Sequence, residues 1–181
     1  MAVDEQGAEK KGLDTLSTWI SGMTSHVGIE VPDLEEARHF YCDILGFEEA
    51  WTADFSGDIL DQISGIPGAK EEMIQILVPG GIRIELQKYT PQGTLRESAV
   101  NNQGLNHLSF GVKDIYAEYD RLVSLGVHCR CEPLALDLGP GQAVTGFSVV
   151  YFEDPWGLTL ELLGPTRGRE HEAIDDERPS S

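Results

Sequence analysis

The chain writes one pattern twice. A short run carrying a single imidazole, Ser25-His26-Val27-Gly28-Ile29-Glu30-Val31, opens the first copy, and Asn106-His107-Leu108-Ser109-Phe110-Gly111-Val112 opens the second. Each run leads into an aspartate, Asp33 or Asp114. A segment with aromatic residues follows, Phe40-Tyr41 in one copy and Tyr116 with Tyr119 in the other, and closes on Leu45-Gly46 or Leu125-Gly126. Later each copy holds a strand-like run with one acidic residue, Ile82-Arg83-Ile84-Glu85-Leu86 and Leu158-Thr159-Leu160-Glu161-Leu162. Two copies of one unit, each with one His and one Glu, restrict the chain to a fold built from two equivalent modules.

The local patterns say what each module contains. Residues 24–31 alternate, with Val27, Ile29 and Val31 on one face and His26, Gly28 and Glu30 on the other. Pro32-Asp33 ends that strand, and Asp33 followed by Glu36 is a helix-start signature. A helix to about Ile44 follows, stopped by Gly46. Residues 47–55 read as a strand, 56–70 as a long apolar connection, and 71–78 with 82–88 as a hairpin across Pro79-Gly80-Gly81. The second copy reads as a strand at 105–112 and a helix at about 114–125, with Ile115, Tyr119, Leu122 and Val123 inward. Strands at about 127–131, 147–152 and 158–163 follow. A loop at 133–146 hinges on Gly139-Pro140-Gly141, and Asp154-Pro155-Trp156-Gly157 makes a turn. The expected class is α+β: two tandem modules, each strand, helix and three strands in a meander. The expected division is an N-terminal arm at 1–22, a first module at 23–88, a linker at 89–103, a second module at 104–164 and a disordered acidic tail at 165–181.

A net charge of −18 argues against nucleic acid, whose phosphates such a surface repels. Apolar runs long enough to span a bilayer are missing, so no membrane partner is expected. The start lacks a secretory signal, which makes a cytoplasmic location the expectation. Cys42, Cys129 and Cys131 are read as reduced thiols, because their spacing is not that of a zinc ribbon.

Chemistry concentrates on four residues: His26, Glu85, His107 and Glu161. Taken singly, each has a plainer reading as a polar residue on a solvated strand face. Taken as four matched positions in a repeat, they point to one divalent cation. A carboxylate facing inward between Leu158, Leu160 and Leu162 is costly to bury alone, and a cation removes that cost. Two imidazoles and two carboxylates suit Zn, Ni, Co, Mn or Fe(II). His39 on the first helix and His128 at a strand start do not fall at such positions.

These motifs together resemble the vicinal oxygen chelate superfamily, which includes glyoxalases, bleomycin-resistance proteins and extradiol dioxygenases. The resemblance rests on the run from His26 to Glu35, on Phe40-Tyr41 with Leu45-Gly46-Phe47, and on the runs from Gly104 to Val112 and from Tyr151 to Leu162, and covers about residues 23–164. It implies two tandem βαβββ modules forming a curled mixed sheet around a metal-binding cleft, with ligands at His26, Glu85, His107 and Glu161. A full set of four ligands leans toward glyoxalase-like lyases, isomerases and epimerases. Ring-cleaving non-haem Fe(II) dioxygenases use three, and ligand-sequestering resistance proteins often lack them.

The implied reaction is proton transfer next to a carbonyl, through a metal-stabilised enolate. Glu161 is the first candidate for the base, Glu85 the second, and Tyr151 a candidate to orient or protonate an oxygen. The substrate is expected to be a small molecule, apolar or aromatic, met by Trp51, Phe55, Phe147 and Tyr151. Cys42-Asp43 stands where glutathione-using relatives often carry a basic residue. The resemblance also implies a homodimer, in which the site lies within one chain or is shared between two.

Overall fold

The computed structural model describes residues 26–94, 100–101, 103–136 and 146–167. The expected N-terminal arm, most of the acidic tail and the Gly139-Pro140-Gly141 hinge lie outside the described residues.

Strand β1 (Val27–Glu30) ends at Pro32, and Asp33 turns the chain into a helix. The Asp33 carboxylate accepts the Glu36 backbone N–H at 2.9 Å, satisfying one of the donors that a helix start leaves free. Helix α1 (Leu34–Arg38) runs on as a wider π-type turn, His39–Ile44. That turn carries Phe40 and Tyr41 together into the core. Gly46 then takes a positive φ of 76°, which a side chain would resist, and the chain reverses into β2 (Glu48–Ser56). Helix α2 (Asp58–Ser64) follows, then β3 (Lys70–Leu77) and β4 (Arg83–Thr90).

The second module repeats the order. It has β5 (Leu108–Gly111), α3 (Ile115–Ser124), β6 (Leu134–Ala135), β7 (Phe147–Glu153) and β8 (Thr159–Pro165). Asp114 caps α3 by accepting from the Tyr116 and Ala117 N–H groups, as Asp33 caps α1. Each module makes one four-stranded mixed sheet, ordered β1-β4-β3-β2 and β5-β8-β7-β6. The His-bearing strand pairs in parallel with the Glu-bearing strand in both, and the other pairings are antiparallel.

Several expected boundaries move. The apolar connection at 56–70 holds a two-turn helix, α2, set between Gly57 and Gly65, which both take positive φ. The strand expected at 127–131 forms only a bridge, Cys129 to Phe152, and the outer strand is the short β6 instead. Backbone N–H of Arg130 still reaches Tyr151 O, so the segment runs alongside β7 without a full ladder. Val123, expected inward on α3, is half exposed, because the sheet takes only the stripe carrying Ile115 and Leu122. Cys42, Cys129 and Cys131 are free thiols.

One core joins the two modules. The apolar faces of β1, β4, β5, β7 and β8 bury Val31, Ile84, Leu86, Val150, Phe152 and Leu160 together with Phe40, Tyr41 and Leu122 from the helices. Fully burying a side chain of this kind contributes about 1.5–3 kcal/mol. Polar and aromatic contacts also cross between the modules. The Tyr41 hydroxyl donates to the buried Asp154 carboxylate at 3.1 Å, Arg121 Nη1 donates to Ile44 O at 2.8 Å, and the Phe47 and Phe110 rings stand 5.3 Å apart. Asp154 in turn accepts the Trp156 and Leu158 N–H groups, so the turn before β8 is tied to the first module's helix. Burial holds the Asp154 carboxyl above its ordinary pKa, and these donors offset that in part. Among the described residues no helix is long and apolar enough to cross a membrane.

Candidate metal centre

Strand alternation decides which side chains meet. In the first module Ile84 and Leu86 point into the core, so Glu85 and Gln87 point to the opposite face. The same logic puts His26 and Gly28 of the first strand on that face. The parallel register sets Gly28 beside Glu85, and His26 Nε2 lies 3.3 Å from Glu85 Oε2. In the second module Ser109 stands beside Glu161 in the same register, and His107 Nε2 lies 3.1 Å from Glu161 Oε2. The repeat seen in the sequence is therefore a repeat in space: one His–Glu pair per sheet, at matched positions.

Each pair has the separation of two donors on one ion. Ligand atoms about 2.1 Å from a cation and at right angles to each other stand about 3 Å apart. The remaining polar atoms are held as well. Glu85 Oε1 accepts from Gln75 Nε2 at 3.0 Å, and Glu161 Oε1 accepts from the Ser109 hydroxyl at 2.7 Å. His107 Nδ1 hydrogen-bonds the Asn106 side-chain oxygen, which leaves Nε2 for the site. Partners of this kind fix the orientation of metal ligands. Both carboxylates are buried, and among the described residues neither is paired with an Arg or Lys, so a cation fits the donor set.

The chain brings the four residues together as two pairs. Among the described residues, no group of three or more His, Cys, Asp or Glu side chains within the single chain gathers closely enough to hold a metal. The first and second His-bearing strands, β1 and β5, are both sheet edges. They flank a largely apolar cavity of about 840 Å³ lined by Val27, Ile82, Ile84, His107, Ser109 and Phe110, among others.

The remaining candidates fall as follows. Tyr151 is the cross-strand neighbour of Glu161, and its ring lies 5.2 Å from that of His107. Burial, and then the Glu161 carboxylate, push its phenol above the ordinary value, which keeps the proton on. Trp51 and Phe55 stand half exposed on the face that carries Glu85, whereas Phe147 is buried. His39 pairs with Asp43 and His128 with Glu153, both at the surface and away from the four. Gln75 and Ser109 were not singled out from the sequence. Gln75 had a signal: it is the one amide in the apolar run Met73-Ile74-Gln75-Ile76-Leu77, on the phase of the strand that faces the site.

Comparison with known proteins gives the family. Residues 24–162 match the family described as the Glyoxalase/Bleomycin resistance protein/Dioxygenase superfamily, and the chain belongs to it. A 2-epi-5-epi-valiolone epimerase from Actinomyces sp is 32% identical over 153 residues, covering 81% of each chain. A probable lactoylglutathione lyase from Synechocystis is 31% identical over 140 residues, covering 76% of this chain and 92% of the relative. A crystal structure of a glyoxalase family protein from Bacillus cereus superposes with a TM-score of 0.67 at 22% identity, covering 78% of this chain and 93% of the other. The homologues named as an epimerase and a lyase support an enzyme of this superfamily.

Proposed function

We propose that the protein is a divalent-metal-dependent lyase, isomerase or epimerase that moves a proton next to a carbonyl. The observation that carries the reading is the pair of matched His–Glu contacts, 3.3 and 3.1 Å long, at equivalent registers of two sheets. His26, Glu85, His107 and Glu161 would hold the ion, which when bound supplies Lewis acidity to the substrate's carbonyl oxygen. Glu161 takes the proton from the carbon beside that carbonyl, with Ser109 steadying its other oxygen. Tyr151, protonated and next to Glu161, donates to an oxygen of the substrate. Trp51 and Phe55 offer ring faces to an apolar part of the substrate. The relatives named as an epimerase and a lyase support this reaction class.

Two pairs that stay apart within one chain favour a homodimer in which a second copy completes each set of four. The test is mixing. Chains lacking His26 and Glu85 are combined with chains lacking His107 and Glu161, and Zn²⁺ binding is measured with deuterium uptake from solvent into a ketone substrate. Recovery of binding and exchange in the mixture supports a shared site, and no recovery places all four ligands in one chain. The reading fails if Ala substitution at His26 or His107 in the full chain leaves metal content unchanged.

A further inference from the structure

A hydrogen-bonded row crosses the first sheet from its solvent edge to the candidate ligands. Trp51 on β2 donates its indole N–H to Gln75 Oε1 at 2.9 Å. Gln75 on β3 donates from Nε2 to Glu85 Oε1 at 3.0 Å, and Glu85 Oε2 on β4 faces His26 Nε2 at 3.3 Å. The direction of the row is set by its first member. An indole can only donate, so it takes the amide oxygen of Gln75 and turns the amide NH₂ toward Glu85. Gln75 is 5% exposed and has little room to adopt another orientation.

Building on the proposed metal site, we infer that Gln75 is a positioning residue. Locked by Trp51, it occupies Oε1 of Glu85 and presents Oε2 alone to the cation, so that Glu85 is a fixed ligand. The second module differs at the same place. Its cross-strand neighbour of the carboxylate is Tyr151, not an amide, and the second oxygen of Glu161 is held by a hydroxyl. An amide held at both ends fixes Glu85 in one orientation, whereas the Ser109 hydroxyl on Glu161 can rotate to suit its partner. Glu85 therefore anchors, and Glu161 is the carboxylate left for acid–base work.

The experiment uses the full chain and Zn²⁺. Wild type, Gln75→Met and Trp51→Phe are titrated by calorimetry, and the Trp51 indole N–H resonance is followed by ¹⁵N-labelled NMR. Gln75→Met keeps the length of the side chain and removes both hydrogen bonds. It is expected to weaken Zn²⁺ binding about 10–100-fold, as loss of a partner behind a ligand does. Trp51→Phe, at a half-exposed position, leaves the fold intact and is expected to cost several-fold. In wild type the Trp51 resonance moves as Zn²⁺ binds, and in Gln75→Met it does not. Unchanged Zn²⁺ affinity in both variants, or a wild-type Trp51 resonance that ignores Zn²⁺, overturns the inference. Failure of the underlying metal site has another signature: His26→Ala then binds Zn²⁺ as wild type does.

Discussion

The two modules agree in backbone and differ in what surrounds the carboxylate. His26 with Glu85, and His107 with Glu161, occupy equivalent registers, and both carboxylates are buried. Beside Glu85 stand Gly28 and the Gln75 amide, and beside Glu161 stand Ser109 and Tyr151. On the proposed reading, duplication would supply two sets of ligands, and divergence at the neighbouring positions would separate an anchoring half from a reacting half. Four tests would break or sharpen that contrast.

The largest effect is expected at the carboxylates themselves. With Zn²⁺ held at saturation, Glu161→Gln should slow deuterium exchange into substrate by about 10²–10⁴-fold, the usual contribution of a positioned general base. Glu85→Gln should act mainly on Zn²⁺ affinity, and excess metal should restore much of its rate. Equal losses in both at saturating metal would erase the distinction.

The modules also differ in how tightly a glycine is enclosed. A Cβ at Gly164 would lie 2.9 Å from Val112 O and 3.0 Å from Ile115 Cβ, whereas one at Gly28 would meet the end of the Gln87 side chain at 2.7 Å. Backbone cannot step aside, and a glutamine amide can. Urea denaturation of Gly164→Ala should show a loss of about 1–3 kcal/mol, and Gly28→Ala less than about 1.

A smaller effect concerns the turns before the two Glu-bearing strands. The first turn, Pro79-Gly80-Gly81, has no counterpart to the buried Asp154 of the second. Removing the hydroxyl that reaches Asp154, in Tyr41→Phe, should cost about 1–2 kcal/mol by the same assay. The pH dependence has a definite sign. Burial holds the Asp154 carboxyl above its unfolded value, so its contribution is fully present below about pH 4 and declines as pH rises through the folded value. Melting curves should therefore favour wild type over Asp154→Asn most strongly in acid. An advantage that grows toward neutral pH would show the opposite shift.

The smallest effect is expected at Ser109, whose hydroxyl holds Glu161 Oε1 at 2.7 Å. Ser109→Ala should slow exchange by up to about tenfold, in line with roughly 1 kcal/mol for one hydrogen bond. The same assay on Gly28→Ser, which gives the first module the second module's hydroxyl, should leave the rate close to wild type.

Much of this arrangement was legible before any coordinates. Alternation placed His26 opposite Val27 and Ile29, and Glu85 opposite Ile84 and Leu86, because a strand leaves each residue only two faces. Asp33 announced its helix because a short acid can satisfy free N–H groups at a helix start. The misses have a common cause: they depend on neighbours distant in sequence. Residues 127–131 look like a strand, but only the β7 backbone decides how much of that segment finds a ladder. Val123 is as apolar as Leu122, and the sheet beneath α3 chooses between them. Gln75 and Ser109 became visible as partners of Glu85 and Glu161 once the register was known. The division of His26, Glu85, His107 and Glu161 into two pairs is a property of how the modules pack, which no periodicity encodes.

The most direct measurement of the central claim is the number of Zn²⁺ ions bound per full-length chain, read by calorimetry for wild type, His26→Ala and His107→Ala. The account predicts one tightly bound ion per chain and weakened binding in either variant, because both pairs serve the same ion. Two ions per chain, each lost only when its own histidine is removed, would contradict it.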